Sequence, residues 1–275
     1  MSKQRKRLAK QSSSHVPMEI EATLIICSAD PREAARKIAA LTSIGNYRLQ
    51  AQDSQTIHDL YFDTPDTALK TRNLSLRIRE IGGKKWITLK GRSQRSDWGG
   101  VERMEIEEPW SESALTGVAT ELMDRNIRMP HKSHEFDVGE PVDVMFRLGL
   151  EVVQHRETHR EVRNVVGGET GNFILAELAI DSVVYHFNDR TTCHHEVEIE
   201  AKVKDASPVL RTVIEALIAM FGPTLRRWDY SKLATGKAIE TLLSEGTLDR
   251  LLDASNNLKP AAYDKIAHLL EQGVA

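Results

Sequence analysis

Residues 74–90 read LSLRIREIGGKKWITLK. Leu74, Leu76 and Ile78 alternate with Ser75, Arg77 and Arg79, and the same period of two returns in Lys84–Lys90. Successive side chains of a strand point to opposite faces, so each run predicts a strand with one apolar face and one charged face. Gly82 and Gly83 supply the two-residue loop that joins such strands into a hairpin. Working outward, the same pattern predicts strands at 19–24, 56–63, 101–108, 155–166, 173–187 and 194–204. Helical character is expected at 31–42, with Pro31 in the first turn, and at 111–126, with Ser111 as a cap. Further helices are expected near 141–149, at 208–221 and 229–244, and as two short stretches within 248–271. The eight expected strands follow one another mostly as hairpins, which predicts an antiparallel sheet. Eight antiparallel strands with helices outside them point to an α+β fold built on an eight-stranded β-barrel, a tunnel surrounded by helices.

The chain has 275 residues, 40% hydrophobic and 28% charged, long enough to bury a core without disulfides or a structural metal. Cys27 and Cys193 form no metal-binding spacing and read as free thiols. The first residues contain no apolar stretch of a secretory signal, and no run suits a membrane helix, so a cytoplasmic location without a membrane partner is expected. Residues 1–17 read as a disordered basic tail, 18–239 as the tunnel domain, and 240–275 as a C-terminal helical extension. That extension is expected to pack on the barrel or on a second subunit, as a monomer or homodimer. The net charge is −3, but Lys3, Arg5, Lys6, Arg7 and Lys10 give the tail +5, which leaves −8 on the rest. A nucleic-acid partner for the tail is the minor expectation.

Charge is sorted by face. Glu19 and Glu21 share one face of their strand, as do Arg77 and Arg79 with Ile78 opposite. Thr88 and Lys90, then Arg103, Glu105 and Glu107, and Arg156 and Arg160 repeat the pattern. Glu196, Glu198 and Glu200 place three carboxylates on one face about 7 Å apart, which repel unless a cation lies among them. One strand of this kind is simply a solvated outer face. Several of both signs suggest a barrel whose charged residues point inward, with the apolar alternates packed under helices. Carboxylate-only ligands suit a hard cation, Mg²⁺ or Mn²⁺, and forked arginines suit phosphate, so the set as a whole suits a metal–polyphosphate.

The ordered motifs resemble the CYTH superfamily, the triphosphate tunnel metalloenzymes. The residues that carry the resemblance run from Glu19-Ile20-Glu21 through Tyr61-Phe62-Asp63-Thr64-Pro65, Leu76-Arg77-Ile78-Arg79 and Thr88-Leu89-Lys90. They continue through Arg103-Met104-Glu105-Ile106-Glu107, Arg160, Asp181, Glu196–Glu200 and Ser231-Lys232. The resemblance implies a metal-dependent triphosphatase, releasing phosphate from a small anionic triphosphate, inorganic tripolyphosphate first. It implies that Glu19, Glu21, Glu198 and Glu200 hold the metal, and that Arg77, Arg79, Lys90, Arg103, Arg160 and Lys232 grip the triphosphate. Glu105 and Glu107 would hold a second metal or orient basic side chains, Asp181 would orient a neighbouring base, and these residues with Arg103 would serve the chemistry. One departure is Thr23, where the family signature has lysine. Alternatives in the same tunnel are a class IV adenylyl cyclase, a thiamine triphosphatase, or a polyphosphate- or nucleotide-binding protein without catalysis. No Walker A motif or nucleophile elbow occurs, and Cys193-His194-His195 lacks zinc spacing.

Overall fold

The computed structural model describes residues 18–127, 139–167 and 173–273. The basic segment 1–17 and part of the loop after residue 126 lie outside the described residues. The strands are β1 (Met18–Ile26), β2 (Ser43–Ile44), β3 (Tyr47–Ala51), β4 (Gln55–Asp63), β5 (Ser75–Ile81), β6 (Lys84–Lys90), β7 (Gln94–Arg95), β8 (Val101–Pro109), β9 (Glu151–Gly167), β10 (Phe173–Phe187), β11 (Arg190–Ala201) and β12 (Leu225–Arg227). The helices are α1 (Pro31–Ala39), α2 (Ala68–Thr71), α3 (Glu112–Asp124), α4 (Pro141–Arg147), α5 (Ser207–Phe221), α6 (Lys232–Ser244) and α7 (Pro260–Glu271).

Eight strands close on themselves in the order β10-β11-β1-β8-β6-β5-β4-β9, and β9 pairs back to β10. Every pairing is antiparallel. The β5–β6 hairpin turns where the glycines stand: Ile81 faces Lys84, and Gly82 and Gly83 take φ of 56° and 75°. Both values lie in the left-handed region that glycine enters without a Cβ clash. The short strands β2, β3, β7 and β12 extend the barrel's edges and were not among the eight expected.

The apolar alternates lie outside the barrel, under helices. α1 and α5 cover Leu24, Leu178, Val197 and Ile199, while α3 and α4 cover Leu76, Ile78, Ile87 and Leu89. A third cluster joins α6 and α7 to Ile25, Val183, Tyr185 and Trp228 at one end of the barrel. Here the two helices pack against residues on the barrel's inner face. Gly236 of α6 comes so close that a Cβ there would meet Gln154 Nε2 at 2.3 Å and Tyr185 Cε1 at 2.6 Å. The expected cap forms, with Ser111 Oγ accepting from Ala114 N at 3.2 Å, and a second cap not foreseen from sequence has Ser231 Oγ accepting from Ala234 N at 3.2 Å. The second cap starts α6 three residues later than the sequence pattern suggests and sets Lys232 at its first turn. Cys27 and Cys193 are free thiols, partly rather than fully buried.

His195 is structural in this barrel end. His195 is buried between Ser182 Oγ at 3.0 Å and Asn257 Oδ1 at 3.1 Å. Burial, which outweighs the Asn257 hydrogen bond, pushes its imidazole down from 6.5 to about 4. A group with a lowered folded-state pKa binds its proton first in the unfolded chain. The stability that neutral His195 contributes is therefore complete above about pH 6.5 and is lost as pH falls toward about 4. Chemical denaturation should show a loss of about 2 kcal/mol between pH 7 and pH 5 that is absent from His195→Asn. An equal loss in that variant would assign the acid sensitivity elsewhere.

Candidate active site

Alternation turns one face of every barrel strand inward, and the inward faces enclose a cavity of about 840 Å³. Its lining includes Glu19, Glu21 and Thr23 from β1; Tyr61 from β4; Arg77 and Arg79 from β5; and Lys90 from β6. β8 adds Arg103, Glu105 and Glu107, β9 adds Arg156 and Arg160, and β11 adds Glu198 and Glu200. Lys232 reaches in from the first turn of α6. Asp181 lies against Arg160 and Lys232 at the wall. The charged positions singled out on the strands, with Asp181 and Lys232, therefore meet in or against one tunnel.

Each of these barrel bases, and Lys232, holds a carboxylate. On the β1–β8 side, Glu19 accepts from Lys90 Nζ at 2.8 Å and from Arg103 Nε at 2.9 Å. Arg103 Nη2 also donates to Glu21 at 2.6 Å, and Lys90 Nζ lies 3.1 Å from Glu105. Burial opposes the charge on Glu19, but Lys90 and Arg103 prevail and hold its carboxyl far below the usual range. Glu21 is placed differently. It faces Glu200 in register, lies near Glu19 and Glu198, and has to share Arg103. Burial first, and the neighbouring carboxylates, push it up to about 8. Glu200 is also raised by burial despite Lys202 at 2.9 Å.

A second cluster surrounds Asp59. This carboxylate is fully buried and accepts from Arg79 Nε at 2.8 Å and Arg156 Nη2 at 2.6 Å, with Arg77 Nη1 at 3.9 Å. Burial alone would raise Asp59; the three guanidiniums hold it well below the usual range. The Tyr61 hydroxyl accepts from Arg156 at 2.9 Å and Arg77 at 3.2 Å, and these charges outweigh burial to bring the phenol down to about 8. Glu107 accepts from Arg77 at 3.0 Å and from Thr88 at 2.8 Å, which brings it to about 2 against the effect of burial. Burial raises Glu105 in spite of Lys90.

The third cluster is built on Lys232. Its ammonium lies 3.0 Å from Asp181 and 2.6 Å from Glu198 and also contacts Glu196. Asp181, Glu196 and Glu198 bring one oxygen each within 4.8 Å of one another, close enough to ligate an ion. The Lys232 ammonium already supplies that cation. Arg160 donates to Asp181 at 2.6 Å and Glu198 at 2.9 Å. Thr23 faces Glu198 across the β1–β11 ladder, and Glu198 draws its lysine from α6 instead.

Asp59, which the charge pattern does not single out, and Arg156 and Glu196, which it groups only with their same-face neighbours, also pack in or against the tunnel wall. Asp59 stands on the same face as Tyr61, two residues before it, and that spacing was the available signal. Arg156 was grouped with Arg160 by the same rule. The Asp63-Thr64 pair has another task. Asp63 Oδ1 accepts from the backbone of Thr64 and Leu69, Oδ2 from Lys70, and Thr64 Oγ1 from Ala68, which fastens α2 to the end of β4.

Glu19, Glu21, Glu198 and Glu200 all line the tunnel, but among the described residues the three carboxylates whose oxygens lie within 4.8 Å of one another are Asp181, Glu196 and Glu198. What favours a cation beside Glu21 is crowding: it is a buried carboxyl that shares one guanidinium with Glu19 and faces Glu200 in register. Donors of oxygen alone suit a hard ion.

Comparison with known families matches the CYTH domain over residues 28–222. Comparison with curated protein sequences finds no match. Among solved structures, the Hippeastrum protein HpAC1, described as revealing a dominant triphosphatase activity, has a TM-score of 0.51 and 20% identity, covering 80% of this chain and 95% of its own. The protein PH1819 from Pyrococcus horikoshii has a TM-score of 0.45 and 18% identity, with 82% and 99% covered. The RNA triphosphatase Pct1 of S. pombe has a TM-score of 0.35 and 11% identity, with 74% and 83% covered. No helix among the described residues is long and apolar enough to cross a membrane.

Proposed function

The chain belongs to the CYTH family, and from that premise we propose that it hydrolyses a small triphosphate, inorganic tripolyphosphate first, with Mg²⁺ or Mn²⁺. The observation that carries this reading is the pairing of guanidiniums and carboxylates inside one cavity of about 840 Å³, where a polyanion and a cation can be held together. The triphosphatase activity described for HpAC1 supports the choice of reaction.

In this reading Arg77, Arg79, Lys90, Arg103, Arg160 and Lys232 turn from their carboxylates to the phosphate oxygens. Arginine does this with two parallel donors, lysine with a point charge. Glu19, Glu21, Glu198 and Glu200 would hold the divalent ion, which when bound supplies charge neutralisation to the polyphosphate. Glu107 and Asp181 keep Arg77 and Arg160 aimed while substrate arrives. Glu105, raised by burial, is suited to take the proton of the attacking water. Thr23 removes one potential phosphate contact from β1, and six basic side chains remain.

The test is a panel of tripolyphosphate, thiamine triphosphate, ATP and long-chain polyphosphate, each with Mg²⁺, Mn²⁺ or a chelator. Phosphate release from tripolyphosphate that the chelator abolishes is expected. Cyclic AMP as the main product from ATP would make the protein a cyclase. Tight tripolyphosphate binding without turnover in either metal would make it a binding protein.

A further inference from the structure

The Lys232 ammonium is reached from behind by a chain of two hydrogen bonds and a closing ion pair that starts on α7, beyond the residues matched to the CYTH domain. Tyr263 of α7 places its hydroxyl 3.0 Å from His194 Nδ1. His194 Nε2 lies 2.6 Å from Glu196 Oε2, and Glu196 Oε1 contacts Lys232 Nζ. All three linking side chains are buried, with 1% or less of their surface exposed.

With the imidazole in its neutral form the donors and acceptors fit in one direction. A carboxylate beside an ammonium only accepts, so His194 Nε2 carries the proton and donates it to Glu196. Nδ1 of the neutral ring is then an acceptor, and the Tyr263 hydroxyl donates to it. The ring is thus fixed by α7, and the ring in turn fixes the plane of the Glu196 carboxylate. The backbone of Lys232 is held separately: Tyr185 donates to its carbonyl at 2.9 Å, and Gln154 donates to that of Leu233 at 3.1 Å. Those bonds set where the lysine starts, whereas the chain from Tyr263 bears on where its ammonium ends.

We propose that Tyr263 and His194 are positioning residues that hold the Lys232 ammonium in the tunnel through Glu196. The consequence for phosphate binding rests on the function proposed above; the positioning itself does not. In full-length protein labelled with ¹⁵N-lysine, the Nζ signal of Lys232, identified by its loss in Lys232→Gln, should shift and exchange its protons faster in both Tyr263→Phe and His194→Gln. Tyr263→Phe keeps the ring in place, which guards against a packing effect. An unchanged Nζ signal in both variants overturns the proposal, whatever the substrate. With tripolyphosphate, Tyr263→Phe should raise KM roughly tenfold with a smaller change in kcat, the loss of one buried hydrogen bond. The same substitution should add nothing in a Lys232→Gln background. An equal rise there would show that Tyr263 does not act through Lys232 and would overturn the proposal. A shifted Nζ signal in a protein that neither binds nor cleaves tripolyphosphate would support the positioning and refute the function.

Discussion

Replacing Glu198 and Glu200 together by alanine is expected to lower tripolyphosphate hydrolysis by at least about 100-fold, the scale on which lost electrostatic stabilisation of a transition state is felt. The fold should survive the change. Lys232 keeps Asp181 and Glu196, and Arg160 keeps Asp181, so neither buried cation is stranded. The loss would then belong to the site and not to unfolding, which a thermal melt of the variant checks. Phosphate release equal to that of the parent protein would refute the role given to this wall of the tunnel.

Asp59→Ala is expected to act in the opposite way, on stability first. Asp59 is fully buried and is the common partner of Arg79 and Arg156, with Arg77 close by. Removing one partner of a buried ion pair leaves uncompensated charge at a cost of about 3–5 kcal/mol. Here three guanidiniums would be left with Glu107 and the Tyr61 hydroxyl. The melting temperature should fall by roughly 10 °C. Added tripolyphosphate should recover more of that temperature in the variant than it adds to the parent, because an anion can take the place of the missing carboxylate. A variant that melts with the parent would mean that Asp59 does not balance these arginines.

The closed barrel was legible in the sequence because its strands are long and their two faces differ sharply. Arg77 and Arg79 against Leu76 and Ile78 reveal both the strand and its inward side. β2, β3, β7 and β12 are two to five residues long, too short for a period of two to stand out. The opposed charges of the tunnel could be read for the same reason as the strands. Their pairing could not, since Asp59 meets Arg156 and Tyr263 meets His194 only after distant segments come together. Leu242, Leu248, Leu251 and Leu252 give residues 240–272 amphipathic spacing, which reveals an apolar face without its partner. That partner is the barrel end around Ile25, Val183 and Tyr185. Asp63 and Thr64 illustrate the converse: a motif marked the family, and two of its residues serve a turn.

The bases on the tunnel's strands already hold carboxylates, and this would couple the two proposed ligands thermodynamically. An anion arriving alone would take Arg103 from Glu19 and Glu21 and leave those acids facing each other. A cation arriving alone would do the reverse and strand the arginine. When both arrive, every displaced group finds a new counterion. On the proposed function, each ligand would therefore raise the affinity for the other by the same factor, and the barrel would favour the metal–polyphosphate complex over either component.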